Sequence, residues 1–129
     1  MTEQAYLVLL ALAQEPRHGY GIVRAVVELS DGAVTLGAGT LYGVLDRLVS
    51  AGYAEASGEV VVDGRLRRYY RLADPGHAAL AAETARLRAL ARRAQRVLLA
   101  TGTARPSSTA RSAPGVRPAL GVRPALGGA

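Results

Sequence analysis

The sequence contains no cysteine, lysine, tryptophan, phenylalanine or asparagine. The absence of cysteine excludes disulfide scaffolds, thiolate metal sites and cysteine nucleophiles. Two isolated histidines do not make a usual zinc ligand set, so no metal or other cofactor is expected. Because no Gly-rich phosphate loop and no recognisable Ser, His and acid motif is present, an enzyme is not expected either.

Long hydrophobic runs are also missing. No stretch of about 18 apolar residues occurs, which excludes a membrane-spanning helix. The N-terminal residues carry acids and lack the basic start of a signal peptide, so they are interpreted as a core helix. A cytoplasmic location is therefore expected.

Positive charge is scarce in the first half of the 129 residues. All sixteen basic residues are arginine, and ten acids leave a net charge of +6. Three arginines and eight acids in residues 1–64 give −5, whereas four arginines and one acid in residues 65–75 give +3. A surface that binds a polyanion is therefore expected at residue 65 and beyond.

Large apolar residues become few in the last 29 residues. Residues 101–129 are rich in Gly, Pro, Ser, Thr and Ala, with GVRPAL repeated in tandem. Such a composition does not offset the entropy cost of ordering, so the segment is predicted to be disordered. It is either a tail without a role or a weak basic arm that touches DNA. The ordered body is residues 1–100.

Three helices are predicted in the first half of the body. The first follows a Thr2 cap and ends before Pro16. The second starts near Gly19 or Tyr20 and ends in the turn cluster Ser30-Asp31-Gly32. The third opens at residues 37–40 and ends near Gly52, and its apolar residues form one core stripe. These stripe residues are Leu41, Val44, Leu45 and Leu48.

A β-hairpin is predicted next. The runs EVVV (59–62) and RLRRYYRL (65–72) flank Asp63-Gly64, which is typical of a type I′ turn. This turn pairs Val62 with Arg65, Val61 with Leu66, and Glu59 with Arg68. Alternation then puts two sets of side chains on opposite faces. The inner set is Leu66, Arg68, Tyr70 and Leu72; the outer set is Arg65, Arg67, Tyr69 and Arg71.

A long final helix is predicted from Pro75 to about residue 100. Its apolar residues recur at spacings of three and four, and nothing obvious in the same chain covers them. Packing against a second copy is therefore expected. The predicted dimerisation residues are Leu80, Leu87, Leu90, Ala94, Val97 and Leu98.

Three stretches together resemble the PadR family of bacterial transcriptional regulators in its short form. They are HGYGI (18–22), GAGTLYGVLDRLVSAGY (37–53) and DGRLRRYYRLADPGHAAL (63–80). The resemblance covers about residues 5–85. It implies a mainly α fold with a small β-hairpin wing: a winged helix-turn-helix in residues 1–74, a dimerisation helix in 75–100 and the tail in 101–129. It further implies a repressor released by an unidentified small molecule bound near the dimer interface.

The expected DNA contacts come from the third helix and the wing. Thr40 and Tyr42 lie at the start of the third helix, where free backbone N–H groups attract phosphate. The remaining candidates are Tyr20, Arg47, Arg65, Arg67 and Tyr69. His18 and Gly19 are interpreted as structural, and Tyr20 either packs, hydrogen-bonds or reaches a phosphate. Arg68 is interpreted as a partner of Glu59.

The predicted function is a DNA-binding transcriptional regulator. As a homodimer it would read a pseudo-palindromic operator in double-stranded DNA, with half-sites about 34–36 Å apart. The alternative is a winged-helix module that binds protein and not a specific DNA sequence, which the negative charge of residues 1–64 favours.

Overall fold

The computed structural model describes residues 1–104, which fold into four helices and three strands. In chain order these are α1 (Glu3–Gln14), β1 (Arg17–His18), α2 (Gly19–Leu29), α3 (Ala38–Ser50), β2 (Ala54–Val62), β3 (Arg65–Leu72) and α4 (Asp74–Ala104). The predicted mainly α fold with a hairpin wing and a long C-terminal helix is confirmed. Most of the predicted disordered tail, residues 105–129, lies outside the described residues.

The helix ends follow local sequence signals. Thr2 Oγ1 accepts a hydrogen bond from the Ala5 N–H (3.1 Å) and caps α1, as predicted. At the end of α3, Gly52 has φ +80°, and the Tyr53 N–H donates to the Leu48 carbonyl (2.9 Å). This closing pattern requires a left-handed residue, which glycine adopts without a Cβ clash. The helix therefore ends where the sequence predicts.

One hydrophobic core joins the first three helices. The α3 stripe predicted from spacing is buried. It packs with the apolar faces of α1 and α2, and Leu36, Ala54 and Leu80 complete the same core. The largest fully buried side chains are Leu9, Ile22, Leu41, Leu45, Val8, Val26 and Val44.

The wing forms with the predicted register. Val62 pairs with Arg65, Val61 with Leu66, and Glu59 with Arg68. Asp63 and Gly64 have φ +52° and +76°, the positive values that a type I′ turn requires at both central positions.

The sheet also contains a third strand that the sequence did not indicate. The strand order is β1-β3-β2, and Arg17 and His18 pair with Tyr70 and Tyr69. A strand of two residues has no alternation to detect, and it forms because β3 offers it a free edge. The pairing brings the start of α2 beside the wing.

The predicted inner face of the wing is only partly buried. Tyr70 and Leu72 pack against the core, as expected. Leu66, however, is 63% exposed, and Arg68 is exposed in its ion pair with Glu59. The alternation persists to the tip, but only the end of β3 near Leu72 has the core beneath it.

The first turns of α4 belong to the compact unit Met1–Leu87, so this unit extends beyond the boundary predicted at residue 74. Gly76 lies against the Tyr53 carbonyl, and the Tyr6 hydroxyl is hydrogen-bonded to Thr84 Oγ1 (2.7 Å). Leu80 is buried in the core, which corrects its assignment to the dimerisation surface: its own chain covers it.

The second unit begins at Arg88. In its described part, α4 continues to Ala104, four residues beyond the predicted end at residue 100. Residues 90–102 are all exposed. Among them are Leu90, Ala94, Val97 and Leu98, four of the predicted dimerisation residues.

Candidate nucleic-acid interface

The outward side of α3 has two separate flanks. Thr40 and Arg47 are seven residues apart, close to two helical turns, so they share a flank; Tyr42 is rotated about 200° from Thr40. All three side chains are exposed. Between the flanks, Gly39 and Gly43 carry no side chain. Few groups are therefore available to read bases.

The start of α3 also lacks a side-chain cap. Gly37 occupies the N-cap position and cannot accept a hydrogen bond from the first turn. The unpaired N–H groups at this end are donors that suit an anion. Thr40 lies in this first turn, as the sequence analysis expected.

The side chain of Tyr42 lies against the start of α2. A Cβ added to Gly19 would lie 2.6 Å from Tyr42 Oη and 3.3 Å from Leu41 Cδ2, so a larger residue here would require the Tyr42 side chain to move. Gly19 is thus structural, as interpreted from the sequence, and the reason is the close approach of α2 and α3. The phenol of Tyr42 is held beside the N-terminus of α2.

The wing contributes arginine side chains to the candidate interface. Arg65, Arg67 and Tyr69 alternate along one face of β3. Arg65 and Arg67 form no ion pair within the described residues, whereas Arg68 and Arg71 pair with Glu59 (3.4 Å) and Glu55 (3.3 Å). The wing therefore carries two cations whose charge no carboxylate offsets.

His18 connects the wing to α2. Its Nδ1 accepts a hydrogen bond from the Gly21 N–H (3.2 Å), which caps α2. Its ring meets Tyr69 edge-on at 5.2 Å between centroids. Partial burial, and then the positive charge of Arg67, lower the pKa of His18 below its ordinary value.

These groups enclose a cleft of about 200 Å³. It brings together four of the seven predicted DNA-contact residues: Tyr20, Tyr42, Arg65 and Arg67. The other lining residues are His18, Gly19, Leu66 and Arg68. A cleft that combines arginines with hydroxyl groups suits a phosphate, which accepts hydrogen bonds and carries negative charge.

Three predicted contact residues lie outside this cleft. Tyr69 stands behind it, against His18. Thr40 is exposed on the opposite flank of α3, and Arg47 lines a separate cavity of about 620 Å³ with Met1, Thr2 and Arg86. Conversely, the cleft includes His18, which the sequence analysis did not place among the DNA contacts. The sequence signals for it were its position directly before a helix and its place in the HGYGI stretch.

The described residues contain neither a candidate metal site nor a candidate membrane span. Residues 1–104 contain no group of three or more His, Asp or Glu side chains that could hold a metal ion. No helix in that range has both the length and the hydropathy needed to cross a bilayer.

Comparison with protein families gives a match over most of the compact unit. Residues 8–82 match the model of the transcriptional regulator PadR-like family. No curated protein matches the sequence.

Solved structures agree with the family match. A PadR family transcriptional regulator from Eggerthella lenta is 31% identical, with a TM-score of 0.59 over 74% of this chain and 83% of that one. A PadR family regulator from Clostridium difficile is 21% identical, with a TM-score of 0.64 over 75% and 99%. PadR from Bacillus subtilis, solved in complex with operator DNA, is 20% identical, with a TM-score of 0.55 over 62% and 45%.

Proposed function

The chain belongs to the PadR-like family of transcriptional regulators, and on that premise we propose that it binds operator DNA as a homodimer and represses transcription until a small molecule releases it. The cleft between α2, α3 and the wing is the observation that carries the proposal. It gathers Tyr20, Tyr42, Arg65 and Arg67, and each of the two helix residues is 23 to 47 positions from the two wing residues in sequence. The Bacillus subtilis relative, whose structure contains operator DNA, supports the same role for this fold.

The proposed complex places α3 in the major groove and the wing along the adjacent backbone. Thr40 and Tyr42, on opposite flanks of α3, would then face the two walls of the groove. Arg65 and Arg67 would neutralise phosphates next to Tyr42. In a two-fold symmetric dimer, the two copies of α3 read half-sites about one helical turn apart.

Salt dependence tests the role of the wing. Arg65→Ala and Arg67→Ala should each reduce the slope of log affinity against log salt by about one per lost phosphate contact, on operator and random DNA alike. Arg92→Ala is the matched control, since it removes the same charge from the exposed part of α4. Unchanged slopes in both wing variants would remove the wing from the interface.

Base reading is tested by comparing specific with random DNA. Thr40→Ala should weaken operator binding by about 1–3 kcal/mol for a lost base contact, and random binding by less. Tyr42→Ala should weaken both alike, because Tyr42 lines the phosphate cleft. The decisive measurement is a footprint of the protein on its own upstream DNA at physiological salt. A protected palindrome supports the proposal.

A protein-interaction module is the second candidate. Besides the negative charge of residues 1–64, it is favoured by exposed apolar side chains at the wing: Val61 is 67% and Leu66 63% exposed. This candidate predicts no protected palindrome and no loss of partner binding in Arg65→Ala. The footprint therefore separates the two functions.

The proposed release by a small molecule has a candidate site in the compact unit. The cavity of about 620 Å³ is lined by residues of α1, α3 and α4, including Leu48, Ala82 and Glu83. Its size lies in the range of small-molecule pockets. Ala82→Trp should fill this cavity. The variant should still bind DNA, but the effector should no longer release it, as measured by reporter expression.

A further inference from the structure

The imidazole of His18 has one nitrogen occupied and one free. Nδ1 accepts the hydrogen bond from the Gly21 N–H, so the proton of the neutral ring is on Nε2. Within the described residues, no group accepts a hydrogen bond from Nε2. Because burial and Arg67 lower the pKa, the ring is neutral at neutral pH. His18 thus presents an N–H donor without adding charge.

The ring is fixed in place by its neighbours. Tyr69 meets it edge-on, and Tyr20 stacks parallel to it with centroids 6.5 Å apart. The β1–β3 pairing fixes its backbone opposite Tyr69. A donor held by a cap, two aromatic contacts and a strand pairing loses little entropy when a ligand binds.

The charged surroundings of His18 favour an anion. Arg67 and Arg65 line the cleft from β3, and Tyr20 and Tyr42 line it from α2 and α3. On the other side of the ring, Glu15 lies near the solvent and is paired with Arg17 at 3.5 Å. Within the described residues, no carboxylate lines the cleft itself.

We propose that His18 binds DNA directly, donating its Nε2–H to one backbone phosphate seated in the cleft beside Arg67 and Tyr42. The inference rests on the proposed function and adds a contact residue to it. The capping bond and the phosphate bond then use the two nitrogens of one ring. The hydrogen bond from the Gly21 N–H to Nδ1 fixes the tautomer of His18. In that tautomer, Nε2 carries the proton that is donated to the phosphate.

The test needs a variant that keeps the cap and loses the donor. Asparagine is a good N-cap residue, and its shorter side chain does not reach where Nε2 lies. At pH 8, His18→Asn should weaken binding to a random-sequence duplex about tenfold, the fold-change for one hydrogen bond to a charged group. The salt slope should stay at the wild-type value, because no charge is removed.

Two further variants make the result specific. His77→Asn changes the only other histidine, which is exposed on α4, and should bind DNA like the wild type. His18→Asp keeps a strong cap but puts a carboxylate beside the phosphate, so it should bind more weakly than His18→Asn. Both His18 variants should melt at the wild-type temperature.

The outcomes separate the inference from the proposed function. Wild-type affinity in His18→Asn would overturn the inference and leave DNA binding intact, whereas a wild type that binds no duplex would overturn both.

Discussion

The two halves of α4 share one apolar stripe and lie in different environments. In the first half, Gly76 touches the Tyr53 backbone, Leu80 is in the core and Thr84 bonds to Tyr6. In the second half, Gly102 has nothing within 4 Å of an added Cβ, and Leu90 is 47% exposed. The same residue types thus serve the fold in one half and remain available for assembly in the other.

The apolar pattern of a helix does not identify the surface against which the helix packs. Both halves repeat apolar residues at spacings of three and four. Only the first half meets α1, the Tyr53 backbone and β3 in its own chain. The exposed second half is the surface that the proposed dimer would use. Matched substitutions in the two halves test whether their environments differ.

The largest difference is expected between the two glycines. Gly76→Ala would drive a Cβ into the Tyr53 carbonyl and Leu72, and should lower the free energy of unfolding by about 3 kcal/mol. Gly102→Ala should leave it unchanged or raise it by up to about 1 kcal/mol, because alanine is the better helix former. Urea unfolding of the two variants measures both. Equal effects would mean that the two environments are not different.

Charges on the exposed half should disrupt the dimer. Leu90→Asp or Leu98→Asp should weaken association by about 2 kcal/mol, as expected for the loss of an apolar anchor. Sedimentation equilibrium measures the dissociation constant, and circular dichroism confirms that the helices persist. Gln95→Asp adds the same charge away from the stripe and should leave the dimer intact. A wild type that is monomeric at micromolar concentration would contradict the proposal.

Two threonines with the same local bond test the tertiary contact. Thr84 Oγ1 donates to the Leu80 carbonyl (2.8 Å), so it accepts from the Tyr6 hydroxyl; Thr101 Oγ1 bonds to the Val97 carbonyl (3.1 Å). Thr84→Val should cost about 1 kcal/mol of stability, since it leaves the Tyr6 hydroxyl without its partner. Thr101→Val, measured by the same thermal unfolding, should change little. A similar loss in both would assign the effect to the helix.

The smallest effect is expected from pH. The pKa of His18 is lowered in the folded protein, so the unfolded chain binds more protons just below its own pKa of about 6.5. Stability should be constant above that pH and fall as the pH decreases through the window below it. His18→Asn should remove this dependence and His77→Asn should keep it. Because arginine is the only ionisable residue in 88–104, assembly through this part should not vary over the same range.

Local chemistry made several elements predictable. The Asp63-Gly64 turn set the pairing of the wing to the residue, and Gly52 marked the end of α3. The α3 stripe was correct because a period of 3.6 residues identifies a buried face whatever covers it. The placement of Arg65 and Arg67 on one face of the wing followed from the alternation of side chains. Their selection as a cationic surface followed from the uneven distribution of arginine along the chain.

Contacts between distant residues were not predictable in the same way. β1 is too short to carry a pattern, and without it His18 could not be placed beside Tyr69. Leu80 and Leu90 belong to one apolar stripe, so spacing could not show that only Leu80 is covered by its own chain. Arg47 shares α3 with Tyr42, yet it faces a different cavity.

The sequence by itself determined the order of the four helices and the two hairpin strands, the register of the hairpin and the family, because these depend on turn residues, periodicity and motifs close together along the chain. The tertiary structure decided which half of α4 packs against the core. It also brought His18, Tyr42 and the wing arginines into one cleft. Those outcomes depend on which surfaces meet. Gly19 contacts Tyr42, and β1 pairs with β3, although the partners are far apart in sequence. A local sequence pattern does not indicate such contacts.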